Sequence, residues 1–309
     1  MKTSGNERAG RPFALIAVLA ACVVSAQAGT SAVNVALPDL AAWAGGGFGD
    51  AQWTVVAYLL AMTAASLIVG YVGDVIGRGR ALLIGLIVFV VAGVACAMAP
   101  TMWALVLARA VQGVGAAGMA ALPLALARDA VGPERSGSIM GLLGTAAAVG
   151  TGAGPAIGGL LLGAWGWPAI FWAMLPIPLL TALAAPRVLA RVSGSRGETA
   201  TAGTLRGRDG GSRQRGVFDL RGSAIVAVAA TLYAVAFTGT VSGTRWALAL
   251  MAAAGVLIVV LVPIERRAAH PVLPLQLLRT RSLGLGAVLN LVVGAVMMST
   301  LAVGPFYLS

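Results

Sequence analysis

The sequence predicts an all-α integral membrane fold, and three observations carry that prediction. Apolar residues make up 59% of the 309 residues and charged residues 10%, against about 45–50% and 25% in ordinary globular domains. Such a chain lacks the polar side chains to cover a water-facing surface, and bilayer lipid is the solvent that suits it. Nine apolar stretches are each long enough to span, since a helix rising 1.5 Å per residue needs roughly 18–20 residues to cross the hydrocarbon core. The basic residues between those stretches fall almost wholly on one side, as the positive-inside rule asks of short loops.

The nine predicted spans cover about 12–37, 52–73, 80–99, 102–126, 138–163, 167–189, 221–241, 245–264 and 283–306. The first follows Lys2, Arg8 and Arg11, and with Ala26-Gln27-Ala28 it resembles a secretory signal and its cleavage site. The apolar run nevertheless continues through Val33, Val35 and Leu37 to Pro38, which predicts an uncleaved first helix. When connections are assigned to alternate sides, one side receives Lys2, Arg8, Arg11, Arg78, Arg80, Arg128, Arg135, the eight arginines from Arg187 to Arg221, Arg266, Arg267, Arg279 and Arg281. The other side receives Arg245 alone, and Arg109 lies within a span. This predicts a multi-pass protein of the cytoplasmic membrane with its N-terminus in the cytoplasm.

Segment 191–220, rich in Gly, Ser, Thr and Arg, reads as a flexible cytoplasmic linker. It divides a six-helix bundle (1–190) from two further central helices (221–264), and a loop with one last helix follows (265–309). A lipid- or nucleic-acid-binding role for its arginines stays open beside the plainer reading of a solvated linker. The net charge of +11 is dispersed in short loops rather than gathered on a folded face, so no nucleic-acid partner is expected. Cys22 and Cys96 both fall inside apolar spans, with neither a disulfide framework nor a metal spacing. His270 is the only histidine, and no metal or triad constellation accompanies it, so no enzyme is predicted.

Polar residues inside spans mark candidate function, because hydrocarbon is a costly place for them. Gln27, Thr30, Ser31 and Asn34 share one face of the first helix. Thr54, Tyr58, Met62 and Ser66 form a similar stripe on the second. Each stripe either lines a cavity or hydrogen-bonds a neighbouring helix. Arg109 lies about 10 Å into its helix, with Gln112 one turn on, and such a residue needs a carboxylate, backbone carbonyls or water as partner. Gln27, Asn34, Tyr58, Arg109 and Gln112 are the candidate cavity residues. In the fifth span Gly150, Gly154 and Gly158 repeat every four residues, giving a smooth face for close packing, and Pro155 predicts a bend. Between the second and third spans, GYVGDVIGRGR (70–80) reads as a tight turn in which Asp74 caps a helix or pairs with Arg78 or Arg80.

Taken together, these elements resemble the major facilitator superfamily. GYVGDVIGRGR is similar to its loop motif at Gly70, Gly73, Asp74, Gly77 and Arg78, with Arg80 beside it. RAVQGVGAA (109–117) is similar to its fourth-helix motif at Arg109, Gln112, Gly113 and Gly115. GTGAGPAIGG (150–159) is similar to the fifth-helix motif of antiporters at Gly150, Gly154, Pro155, Gly158 and Gly159. SAVNVALP ending at Pro38, QWTVVAYLLA at the second helix and HPVLPLQLLRTRS after the linker resemble the fourteen-helix drug:proton antiporters.

That resemblance implies a six-helix N-terminal bundle and export of small hydrophobic or cationic drug-like compounds by alternating access. It implies no cofactor, the proton gradient being the driving force. The residues of 70–80 would gate the cytoplasmic side. The sequence departs from the pattern at Gly29, where the family carries Asp, at Val75, where Arg is usual, and at Trp167-Pro168-Ala169 in place of Trp-Arg-Trp. No Asp or Glu lies deep in any predicted span. Fourteen helices are expected and nine are predicted, which implies a C-terminally truncated member with an incomplete second bundle. The alternative reading is a fragmentary, transport-inactive membrane protein.

Overall fold

A computed structural model of the chain describes residues 4–45, 47–131, 136–202 and 244–267, with residues 225, 228, 229, 231, 232 and 235 between them. Every element among these residues is a helix: α1 (Ser4–Val35), α2 (Leu37–Ala44), α3 (Phe48–Ile76), α4 (Arg78–Ala97), α5 (Met102–Val131), α6 (Ser136–Trp165), α7 (Trp167–Met174), α8 (Pro176–Ala202) and α9 (Thr244–Arg267). The chain divides into two compact units, Met1–Val33 with Thr54–Gly216 and Asn34–Trp53 with Val217–Ser309.

The first unit is a helical bundle. Leu15, Leu19, Cys22 and Ala26 make one face of α1. They pack with Leu82, Leu86 and Phe89 of α4, Met119 and Leu122 of α5, and Ile139 and Leu143 of α6. Spacings of three and four residues put each set on a single stripe. Unlike the helices of a soluble domain, these are apolar on the outside as well: Ile84 is 52% exposed, Val91 63% and Leu160 78%. A helix apolar all round belongs in lipid. Five spans long and apolar enough to cross a membrane follow, at Phe13–Val35, Arg78–Ala97, Met102–Ala130, Ser136–Trp165 and Trp167–Ala190. Helix α3 supplies a sixth as a bent pair. The bundle is therefore multi-pass, and its six spans match the six predicted before the linker.

Four details differ from the sequence-based expectation. The stretch from Gly70 to Arg80 is mostly helix, with only Gly77 standing between α3 and α4. Its φ of +97° is a region that side-chain-bearing residues rarely adopt, so a glycine can turn the chain in one residue. The hydrogen-bond ladder of the sixth span is interrupted at Leu175, because Pro176 lacks an N–H, while Leu175 itself keeps helical geometry at φ −76° and ψ −35°. Helix α8 runs past residue 190 to Ala202, into the stretch read as linker. That stretch contains Arg, Glu and Ala, which favour helix, and no proline.

Helix α6 runs unbroken through Pro155, as membrane helices tolerate when neighbours re-satisfy the freed carbonyl. Helix α3 bends by 49°, between Gly49–Ser66 and Ile68–Ile76. There Ser66 Oγ donates to the Thr63 carbonyl at 2.8 Å, a local bond that competes with the helix ladder.

In the second unit α2 starts at Leu37 with Pro38 in its first turn, where a missing N–H costs nothing, and closes on Gly45. Helix α9 covers the eighth predicted span, with its apolar run at Leu248–Leu257. The seventh predicted span lies largely, and the ninth wholly, outside the described residues.

Candidate functional site

The centre of the bundle is built around Arg109 of α5, which has 0% exposure. Its three guanidinium nitrogens each find an acceptor on a different element. Nε donates to the Thr54 carbonyl of α3 at 3.1 Å. Nη1 donates to Gln112 Oε1, one turn along α5, at 2.7 Å. Nη2 donates to the Gly29 carbonyl of α1 at 3.0 Å. The guanidinium carbon also lies 4.1 Å from the centre of the Tyr58 ring and 6.0 Å from that of Phe171 on α7. Four elements therefore converge on one cation. The planar fork of arginine suits this task, since its donors diverge in fixed directions. Every one of these partners is neutral, so among the described residues the charge is held by dipoles and ring faces rather than by a counter-ion.

The surrounding small residues explain how the cation fits. A Cβ on Gly113 would overlap the Tyr58 carbonyl, so α5 and α3 are in backbone contact there. A Cβ on Gly115 would lie 2.6 Å from the Phe89 nitrogen and 2.7 Å from the Gly85 oxygen of α4. The two glycines after Arg109 thus serve two different neighbours. Tyr58 is oriented in turn by its hydroxyl, which donates to the Ala26 carbonyl at 2.8 Å.

The structure brings Tyr58, Arg109 and Gln112 together and leaves them no open surface. In this conformation they face one another: the three Arg109 guanidinium nitrogens, Gln112 Oε1 and the Tyr58 hydroxyl are hydrogen-bonded within the protein. Gln27 is half-buried, its Cβ 3.0 Å from where a Cβ on Gly150 would stand, so it lies against α6. Asn34 is half-buried and belongs to the second unit. Of the remaining stripe residues, Ser31 Oγ reaches the Gly150 carbonyl of α6 at 3.4 Å, and Ser66 is exposed.

Gly150, Gly154 and Gly158 are buried against α1. Added Cβ atoms would lie 2.5 Å from the Val24 carbonyl oxygen, overlap Ser31 Oγ, and lie 2.9 Å from the Ala32 carbonyl oxygen respectively. Gly159 is exposed, off this seam, and Pro155 is half-buried.

At the basic end of the bundle Arg78 opens α4. Its Nε and Nη2 donate to Asp74 Oδ1 of α3 at 3.1 and 3.0 Å, and its Nη1 to Asp129 Oδ2 of α5 at 2.9 Å. Three helix ends are joined. Gly73 is buried, and a Cβ there would press on Leu122 Cδ2 at 2.9 Å. Gly70 has open space around it, and Arg80 is exposed.

Sequence reasoning missed several contributors. The carbonyls of Gly29 and Thr54 carry no side-chain signal at all. Phe171 looks like any apolar residue of the sixth span. Asp129 had a signal, since it follows the fourth predicted span, 102–126, on the same side as Asp74.

A six-span bundle with an apolar exterior and a buried cation at its centre defines a multi-pass membrane protein of transporter architecture. The sequence profile of the Major Facilitator Superfamily matches residues 19–209. An uncharacterised MFS-type transporter of Mycobacterium tuberculosis (strain H37Rv) is 33% identical over 293 residues, 93% of this chain and 39% of that protein. Multidrug resistance protein Stp of the same organism is 34% identical over 258 residues, 82% of this chain and 44% of Stp. The riboflavin transporter RibZ of Clostridioides difficile is 33% identical over 150 residues, 48% of this chain and 33% of RibZ. Among solved structures, the POT family transporter PepTSo aligns with a TM-score of 0.53 over 84% of this chain and 55% of that one, at 13% identity, which shows the fold. The chain belongs to the Major Facilitator Superfamily. It spans about two-fifths of the length of the M. tuberculosis relatives.

Proposed function

We propose that this chain is a transporter of the multidrug-exporter type that works by alternating access in the cytoplasmic membrane, with its N-terminus inside. The observation that carries the reading is the convergence of α1, α3, α5 and α7 on Arg109 within an otherwise apolar bundle. A centre of this kind offers hydrophobic walls and one polar cluster, suited to small hydrophobic drug-like compounds. Similarity to multidrug resistance protein Stp supports the substrate class. The one-sided arginines support the orientation. The Asp74–Arg78–Asp129 cluster ties three helix ends on the cytoplasmic side and serves as a latch in one state of the cycle.

Proton antiport is the driving mechanism proposed, and it rests on the resemblance to drug:proton antiporters. Cells expressing the protein should export a fluorescent drug, and Arg109→Ala should lower the rate by about tenfold or more. Unchanged efflux in that variant removes Arg109 from the mechanism. Efflux that persists when an ionophore collapses the proton gradient removes the coupling.

A further inference from the structure

Helices α3, α4 and α5 leave between them a groove of about 420 Å3. Ile68 and Val72 of α3 and Ile84 and Val88 of α4 line it, together with Gly115 and Gly118 of α5. Its rim is open, since Ile68 and Ile84 are 43% and 52% exposed, and the two glycines beneath are buried. The bend of α3 between Ser66 and Ile68 falls along this groove.

One end of the groove is charged. Arg80 lies one turn before Ile84 and two before Val88, so the three stand on one ridge of α4. Its side chain is exposed and makes no hydrogen bond or ion pair with any described residue. Arg78, two residues earlier, is held by Asp74 and Asp129. An apolar channel that begins beside a guanidinium with no partner among the described residues has the polarity of a lipid molecule.

We propose that this groove binds an anionic phospholipid, one acyl chain lying along it and the phosphate paired with Arg80. From Ala81 to Val88 the groove runs about 10 Å along α4 at 1.5 Å per residue, room for part of an acyl chain. A transmembrane helix would fill the groove with side chains, whereas a lipid brings an acyl chain and a phosphate to Arg80 together. Basic pockets between membrane helices select anionic head groups. The inference depends on the membrane-spanning bundle and not on what the protein exports.

The test is native mass spectrometry of the full chain, titrated with phosphatidylglycerol or phosphatidylcholine of identical acyl composition. The expected result is one phosphatidylglycerol retained in preference to phosphatidylcholine. Arg80→Gln should weaken it by about fivefold, as expected for one surface cation. Arg128→Gln, which removes an exposed arginine on the α6 side, should leave it unchanged. Ala64→Phe, which fills the groove, should abolish retention. Equal retention of the two lipids, equal effects of Arg80→Gln and Arg128→Gln, or full retention in a folded Ala64→Phe variant would each overturn the proposal. A photocrosslinker on Ile84→Cys gives a readout that needs no groove-filling variant. It should capture lipid, and capture of a segment of this chain or of a second copy counts against lipid as the occupant.

Discussion

The seam between α1 and α6 yields a prediction in which one large uncertainty cancels. Gly150 and Gly152 sit on the same helix, two residues apart. A Cβ at Gly150 would lie 2.5 Å from the Val24 carbonyl oxygen and 3.0 Å from Gln27 Cβ, whereas a Cβ at Gly152 meets nothing within 4 Å. Ordinary contact begins near 3.4 Å, so Gly150→Ala must part the two backbones by roughly 0.9 Å. The obstacle is backbone, and no rotamer relieves it. That separation also stretches the Ser31 Oγ to Gly150 carbonyl bond, already 3.4 Å long. Overpacking of this kind costs about 1–3 kcal/mol. Replacing glycine by alanine within a helix returns about 0.8–1.0 kcal/mol at both sites. The difference between the variants is therefore the clash alone, about 1–3 kcal/mol, with Gly152→Ala at or above wild-type stability. Thermal midpoints of the detergent-solubilised variants, read by fluorescence-detected size-exclusion chromatography, should differ by several degrees. Equal midpoints would refute the close approach of α1 to α6. Gly154 extends the test, because its obstacle is the Ser31 hydroxyl. Adding Ser31→Ala should rescue Gly154→Ala in part and leave Gly150→Ala unrescued.

Three further outcomes follow from the same geometry. Arg109→Lys should lose about 1–3 kcal/mol, close to the loss in Arg109→Ala, because one ammonium cannot reach the Thr54, Gln112 and Gly29 acceptors together; a melt at wild-type temperature would show that charge alone suffices. Arg78→Gln and Asp129→Asn should each change stability by about 1 kcal/mol or less, the pair being partly exposed, and should slow export more than they lower the melting point. Parallel flux and melting measurements on both variants check this. Gly77→Ala should destabilise by about 1–2 kcal/mol, since its φ of +97° strains any side chain, and denaturant titration of the purified protein measures it.

What the sequence revealed and what it hid divide along chemical lines. The membrane class and the first six spans were legible because hydrocarbon solvation acts on every residue and the signal accumulates over twenty positions. Arg109 and Gln112 were legible because a charge in such a run is conspicuous. Their acceptors were not, because the Gly29 and Thr54 carbonyls belong to the backbone and any residue could have offered them. The glycine face of α6 was legible from its four-residue repeat, and it does meet α1. The bend in α3 was hidden for a related reason. Ser66 advertises little, and its bond to the Thr63 carbonyl accompanies the bend in α3. The break before Pro176 was readable in principle and was passed over, because the apolar run continues across it.

The neutrality of the Arg109 partners bears on which compounds this bundle favours. Two carbonyls, an amide oxygen and two rings hold the guanidinium, so about one full positive charge stays at the bundle centre. At an effective dielectric of about 20, a substrate cation roughly 8 Å away is repelled by about 2 kcal/mol, which is about thirtyfold in occupancy. A neutral drug should therefore be exported in preference to a cationic analogue of the same skeleton. Gly29→Asp should relieve this preference. A Cβ at Gly29 lies 3.2 Å from Phe89 Cζ and 3.3 Å from Tyr58 Oη, both tips of side chains that can yield. The new carboxylate stands on the residue whose carbonyl already accepts from Arg109 Nη2, so the pair neutralises itself. The ratio of cationic to neutral export should rise by about tenfold or more, measured with matched fluorescent dyes in cells with equal protein levels. A ratio that does not move in a stably folded Gly29→Asp variant would mean that substrates never come within range of Arg109, and the buried cation would then be a structural clamp for the four elements it joins.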